Sequence, residues 1–180
     1  MKKNLKLMLS VIILTVIDQI IKVYVFKNFM NKEYDILGNI ISFRPHINID
    51  YSWINSFSKM GIGLLPHVIC CIIMLIISVV IFQFFKEKYH VNMFVHYVFS
   101  LWCAGVVCSL IDKIFWGGSL DYIRLNGFFI FDLKDIYISI CEVIVIGGLI
   151  FNYKKLNDVN EKVFYNEFKT YIKSKYMGSK

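Results

Sequence analysis

Four apolar runs divide the chain: Leu5–Phe26, Gly63–Phe85, Met93–Ile111 and Ile136–Tyr153. Each is close to the ~20 residues a helix needs to cross the hydrocarbon core of a bilayer. In lipid a backbone must satisfy its own hydrogen bonds, so such runs are read as helices. A cleavable leader is the competing reading of the first run, because lysines precede it. No small-residue cleavage site follows, however, and the apolar pattern continues past Asp18 and Lys22 to Phe26.

The expected architecture is therefore a membrane all-α fold: four transmembrane helices with a small extracytoplasmic β-sheet. At 57% hydrophobic residues, the chain is too apolar for an ordinary soluble domain. Its net charge of +7 does not indicate a nucleic-acid partner, because the lysines collect at the ends rather than over one face. Lys2, Lys3 and Lys6 lead the chain, and seven more lysines fall between Lys154 and Lys180. By the positive-inside rule both termini are cytoplasmic. Loops 27–61 and 116–134 then lie on the outer side of a domain spanning 1–153, with 154–180 as a basic cytoplasmic tail. In that tail Val159, Val163, Phe164, Phe168 and Tyr171 recur at helical spacing, which fits a short amphipathic helix on the membrane surface as well as a solvated tail.

Five cysteines, Cys70, Cys71, Cys103, Cys108 and Cys141, all lie in apolar runs. They lack paired C-x-x-C spacing, so they are read as small buried side chains and not as a zinc site. No metal and no cofactor is expected.

The outer loops carry strand signals. From His46 to Trp53 the alternation is strict, with Ile36–Phe43 as a candidate partner strand. Asn126-Gly127, between Ile123-Arg124-Leu125 and Phe128-Phe129-Ile130, predicts a hairpin. Charged residues near the spans are more informative still, since acids at membrane depth are costly. Asp18 and Lys22 are four residues apart and share one helix face. Asp112 and Lys113 end the third run, and Glu142 falls inside the fourth, seven residues after Asp135 on the same face.

Between the third and fourth runs lie Asp112, Asp121, Asp132 and Asp135. Two carboxylates in a partly dry site cannot both ionise cheaply, so together they supply an acid and a base. Asp121 and Asp135 flank the hairpin, which can fold them together. The helix dipole would favour a charged Asp135 as base, leaving the proton on Asp121. The plainer reading is that Asp132 and Asp135 cap the fourth helix and Asp121 marks a polar loop. As a simple cap, Asp132 would be replaceable by Asn. Spacing alone leaves both readings standing.

From Leu5 to Tyr153 the sequence resembles the signal peptidase II family. The motif D-Q-x-x-K is met by Asp18-Gln19-Ile20-Ile21-Lys22, and G-G-x-x-G-N-x-x-D-R by Ala104-Gly105-Val106-Val107-Cys108-Ser109-Leu110-Ile111-Asp112-Lys113. V-D-F-I is similar to Leu120-Asp121-Tyr122-Ile123, and F-N-x-A-D to Phe131-Asp132-Leu133-Lys134-Asp135. The departures are Ser109 for asparagine, Lys113 for arginine, Asp132 for asparagine and Lys134 for alanine. A third carboxylate beside the pair requires compensation by Lys134 or Lys113. The first-loop segment N-x-G-x-A-F survives as Asn55-Ser56-Phe57-Ser58, with Ser52 at the asparagine's place.

The resemblance implies a membrane aspartic endopeptidase that cuts diacylglyceryl-modified prolipoproteins before the lipidated cysteine, at the outer face of a bacterial cytoplasmic membrane. It implies Asp121 and Asp135 as catalytic residues. Asn55, Ser109, Asp112, Lys113, Asp132, Asp18 and Lys22 would bind substrate or support the site. The partners would be the prolipoprotein and membrane lipids, with the protein acting as a monomer. Two alternatives remain: a catalytically altered relative that binds lipoproteins or a lipopeptide, and a small transporter or proton relay built on Asp18, Asp112 and Glu142.

Overall fold

The computed structural model of the chain describes residues 2–89, 91–152 and 160–178. In chain order its elements are α1 (Lys2–Phe29), β1 (Tyr34–Leu37), β2 (Ile41–Asn48), α2 (Trp53–Ser58), α3 (Leu64–Tyr89) and α4 (Met93–Ile111). A π-helical turn (Asp112–Trp116), β3 (Ser119–Leu125), β4 (Ile130–Phe131), α5 (Leu133–Phe151) and α6 (Glu161–Tyr176) follow.

Among the described residues, three stretches of helix are long and apolar enough to cross a membrane: Asn4–Phe29, Leu64–Tyr89 and Met93–Trp116. The third run was expected at Met93–Ile111, and α4 has those bounds. The fourth run forms α5, whose 19 residues include Lys134, Asp135 and Glu142. Helix α4 is the hub, packing against α1, α3 and α5. Gly105 permits the approach of α5, since a Cβ there would lie 2.5 Å from Ile138 Cγ1 and 3.3 Å from the Lys134 carbonyl oxygen.

The two loops join in one antiparallel sheet of order β1-β2-β3-β4. They therefore occupy the same end of the bundle. The hairpin forms where Asn126-Gly127 predicts it: Leu125 N–H donates to Phe129 O at 2.9 Å, and Gly127 adopts φ +82°. The sheet seats on the end of α1 through Val25, Leu120 and Tyr122, with Phe29, Phe43 and Ile47 packed around them.

Two boundary expectations are corrected. The alternating stretch His46–Trp53 is not one strand: β2 starts at Ile41, passes through Pro45 and stops at Asn48. Its register with β3 slips between Phe43 and His46, a bulge that absorbs the donor Pro45 lacks. Beyond it the Asn48 side chain accepts from Asp50 N–H, Tyr51 turns to φ +65°, and Ser52 caps α2. This local side-chain bonding overrides the period-2 pattern. The second run extends past its expected end at Phe85, with Lys86, Glu87 and Lys88 continuing α3 to Tyr89. Lysines in a last turn complement the helix dipole. The tail forms α6, whose Phe164, Phe168 and Tyr171 ring the buried Phe84 at 5.6, 5.2 and 5.3 Å between centroids. The fourth run's last residue, Tyr153, and Val159 lie outside the described residues.

Candidate active site

A buried polar cluster forms where α1, the π-helical turn, β3 and the start of α5 meet. Lys22 is its inner cation, with no exposed surface. Its Nζ lies 2.9 Å from Asp18, 2.5 Å from Asp112 and 2.7 Å from Asp132. The expected Asp18–Lys22 pair is thus present, but Lys22 also binds two acids from distant elements. Gln19, on the same turn of α1, donates to Asp112 Oδ1 and accepts from Trp116 Nε1, both at 3.1 Å.

Lys134 is the outer cation. It donates to Asp132 Oδ2 and Ser119 Oγ, both at 2.6 Å. It lies 3.5 Å from Asp112 Oδ2, 3.5 Å from Asp121 Oδ1 and 3.7 Å from Asp135 Oδ1. The Ser119 hydroxyl is 2.7 Å from Asp121 Oδ1 and 3.2 Å from Asp112 Oδ2. Asn48 of β2 donates to Asp121 Oδ2 at 3.4 Å.

Asp132 does cap α5, accepting from Asp135 N–H at 3.2 Å, while Asp135 Oδ2 accepts from Asp132 N–H at 3.1 Å. This reciprocal capping box fixes both acids to the backbone. Yet Asp132 is fully buried and bridges the two lysines, so it is more than a cap.

Carboxylate oxygens of Asp121, Asp132 and Asp135 lie within 4.8 Å of one another. Such a spacing suits a cation, and the Lys134 ammonium already contacts all three. Five carboxylates, of Asp18, Asp112, Asp121, Asp132 and Asp135, face the two ammonium groups of Lys22 and Lys134. The cluster favours holding protons. Burial raises the Asp121 carboxyl above its usual range against the pull of Lys134, and Asp132 adds to the rise. Asp135 precedes the apolar run of α5, and its side chain is 41% exposed. Burial of its carboxyl, with the charges of Asp132 and Asp121, pushes it up to about 7. Burial and like charge thus work against the helix dipole expected to keep Asp135 charged. Asp132 behaves oppositely. Burial works to raise it, but Lys134 and Lys22 more than offset that and hold it below the ordinary range.

The other residues singled out in the sequence divide. Lys113 is buried and donates to Ser109 Oγ at 2.7 Å, with Cys71 Sγ 3.9 Å from that hydroxyl. The compensating lysine is thus Lys134. Asn55 spends its side chain on the loop: Nδ2 donates to Asp50 O and Ile62 O, and Oδ1 accepts from Ile62 N–H. Glu142 is exposed on α5. Two polar neighbours, Asn48 and Ser119, are new to the site, and Gln19 of the D-Q-x-x-K motif gains a partner in Asp112. Ser119 was findable, because it lies two residues before Asp121 and so shares its face of a strand. Asn48 needed the β2–β3 register, which places His46 opposite Asp121.

A model of the family described as signal peptidase (SPase) II matches residues 10–151. The chain belongs to the signal peptidase II family. It is 27% identical over 171 residues to the lipoprotein signal peptidase of Staphylococcus haemolyticus, covering 90% of this chain and 99% of that protein. Two solved structures, each described as a bacterial membrane enzyme obtained by the in meso method, share the fold. The one at 2.3 Å resolution aligns with a TM-score of 0.68 and 22% identity, over 86% of this chain and 93% of its own. The one at 1.9 Å aligns with a TM-score of 0.65 and 23% identity, over 80% and 92%. Family and relative alike indicate a membrane peptidase, and the four polar motifs of the helices and of the stretch before α5 fall within the matched residues.

Proposed function

We propose that the protein is an aspartic endopeptidase that removes signal peptides from diacylglyceryl-modified prolipoproteins, cutting before the lipidated cysteine. The observation that carries this reading is the approach of Asp121 and Asp135, two carboxyls within 4.8 Å whose protonation is raised together. Near neutrality such a pair holds one proton between its members. The charged member takes a proton from water as the water oxygen attacks the scissile carbonyl. The protonated member hands its proton toward the substrate, and the leaving nitrogen departs protonated as the C–N bond breaks. The reaction ends with one proton again on the pair.

In this reading α5 is the fourth crossing, both termini are cytoplasmic, and the sheet and the pair lie at the outer membrane surface. The polar end of the bundle then meets a substrate whose lipid stays in the bilayer. The test is to incubate purified protein with a diacylglyceryl-modified precursor and with its unmodified form. A product beginning at the lipidated cysteine, from the modified precursor alone, supports the peptidase.

Lys134 favours one competing reading, because its ammonium contacts both acids. A relative whose pair is held permanently ionised would bind the lipoprotein without cutting it. Capture of the precursor with no product at any pH identifies that case.

A further inference from the structure

The Asp132–Lys134 pair, 2.6 Å between Oδ2 and Nζ, sits inside the acid cluster. We infer that Lys134 is a positioning residue that sets the ionisation of the Asp121–Asp135 pair, and that Asp132 is the counter-charge limiting its grip. This deepens the peptidase reading and rests on it for the identity of the pair.

The geometry is specific. Lys134 Nζ stands 3.5 Å from Asp121 and 3.7 Å from Asp135, so it attracts the charged form of each. Its closest bonds, at 2.6 Å, go to Asp132 and Ser119. Asp132 is also held at 2.7 Å by Lys22 of α1, so it cannot swing away. The remaining polar groups facing this point are Asp112 of the π-helical turn, 3.5 Å from Lys134, and Asn48 of β2 on Asp121. His46 lies across from Asp121 in the sheet, and Lys113, bonded to Ser109, acts on Asp135 and Asp112 through its charge. Burial works against the charge on Lys134, but Asp132, Asp135, Asp121 and Asp112 hold it protonated well above the ordinary lysine range. Lys134 is therefore a constant cation over the working pH range, and Asp132 a constant anion.

Two opposite consequences follow. Without the Lys134 charge, both members of the pair keep protons to higher pH. Without the Asp132 charge, Lys134 has fewer competitors, and the pair loses protons at lower pH. A purely structural lysine would change the amount of active protein, not the position of its pH dependence.

The experiment uses full-length wild type, Lys134→Met, Lys134→Arg, Asp132→Asn and the double variant Asp132→Asn/Lys134→Met in detergent micelles. Each is labelled with 13C at the aspartate carboxyl carbon. The Asp135 resonance is assigned by its loss in Asp135→Asn and followed through a pH titration, and kcat/KM for a lipid-modified precursor is measured over the same range. An opposite charge within about 4–6 Å moves a carboxyl by one unit or more. We expect the Asp135 midpoint and both limbs of the pH profile to rise by about one unit in Lys134→Met and to fall in Asp132→Asn. The double variant should lie between them, and Lys134→Arg near wild type. Midpoints that do not move, or move the same way in both single variants, overturn the assignment. If Lys134→Met does not accumulate folded, the double variant is compared with Asp132→Asn instead: a higher Asp135 midpoint in the double variant supports the assignment, and equal midpoints overturn it. Opposite movements in a wild-type chain that never cleaves the precursor support the charge assignment and count against the peptidase reading instead.

Discussion

Lys22 of α1 and Asp132 at the start of α5 lie 2.7 Å apart, both without exposed surface. This contact ties the first helix to the helix carrying Asp135, and Asp112 joins it through the same ammonium at 2.5 Å. Removing one partner of a buried ion cluster strands the remaining charges, at a typical cost of about 3–5 kcal/mol. Lys22→Met should thus lower thermal stability severely. Asp18→Ala should cost less, about 1–3 kcal/mol, because Lys22 keeps Asp112 and Asp132. Thermal unfolding in detergent checks the order. A more damaging Asp18→Ala would contradict the central place of Lys22.

Asp135 also makes stability depend on pH. Its carboxyl is raised from 3.8 to about 7 in the fold. Between those values the folded state binds the proton more tightly than the unfolded chain. Its contribution is fully present below pH ~4 and is lost as pH rises through about 7. Asp135→Asn cannot titrate, so the Tm of wild type relative to this variant should fall between pH 5 and pH 8. Asp132 has the opposite sign and is present in both proteins. A constant difference across that range would show that Asp135 is not raised.

Helix packing near the site hangs on Gly105. A methyl group there would sit 2.5 Å from Ile138 Cγ1 and 3.3 Å from the carbonyl oxygen of Lys134. Gly105→Ala should cost about 1–3 kcal/mol through overpacking, and Ile138→Ala in the same chain should recover part of it. Additive losses in the double variant, measured by thermal unfolding, would mean that the two side chains do not share that space.

Much of this arrangement was readable from residue order. Apolar run length located the helices, Asn126-Gly127 located the hairpin, and the spacing of Asp18 and Lys22 put them on one face. What the sequence hid was long-range. Nothing local says that Lys22 reaches Asp112 and Asp132, or that Lys134 and not Lys113 balances the extra acid. Both are fixed by how α1, the π-helical turn and α5 converge, and side-chain period carries no such information. The strand expected over His46–Trp53 failed for a local reason: Asn48 and Ser52 bind nearby backbone and turn the chain into α2.

Topology is tested independently of chemistry. With native cysteines removed, single cysteines at positions 126 and 160 are treated in intact cells with an impermeant maleimide. Position 126 in the hairpin should label and position 160 at the start of α6 should not, as the lysine distribution requires. The reverse pattern would invert the whole orientation.

The most direct test of the account replaces Asp121 and Asp135 one at a time by Asn and measures cleavage of a diacylglyceryl-modified prolipoprotein by folded, inserted protein. Neither acid can do the work of both, so each variant should lose about three powers of ten or more in rate, with thermal stability near or above wild type. Near-normal cleavage by either variant would contradict the assignment of these two aspartates as the catalytic pair.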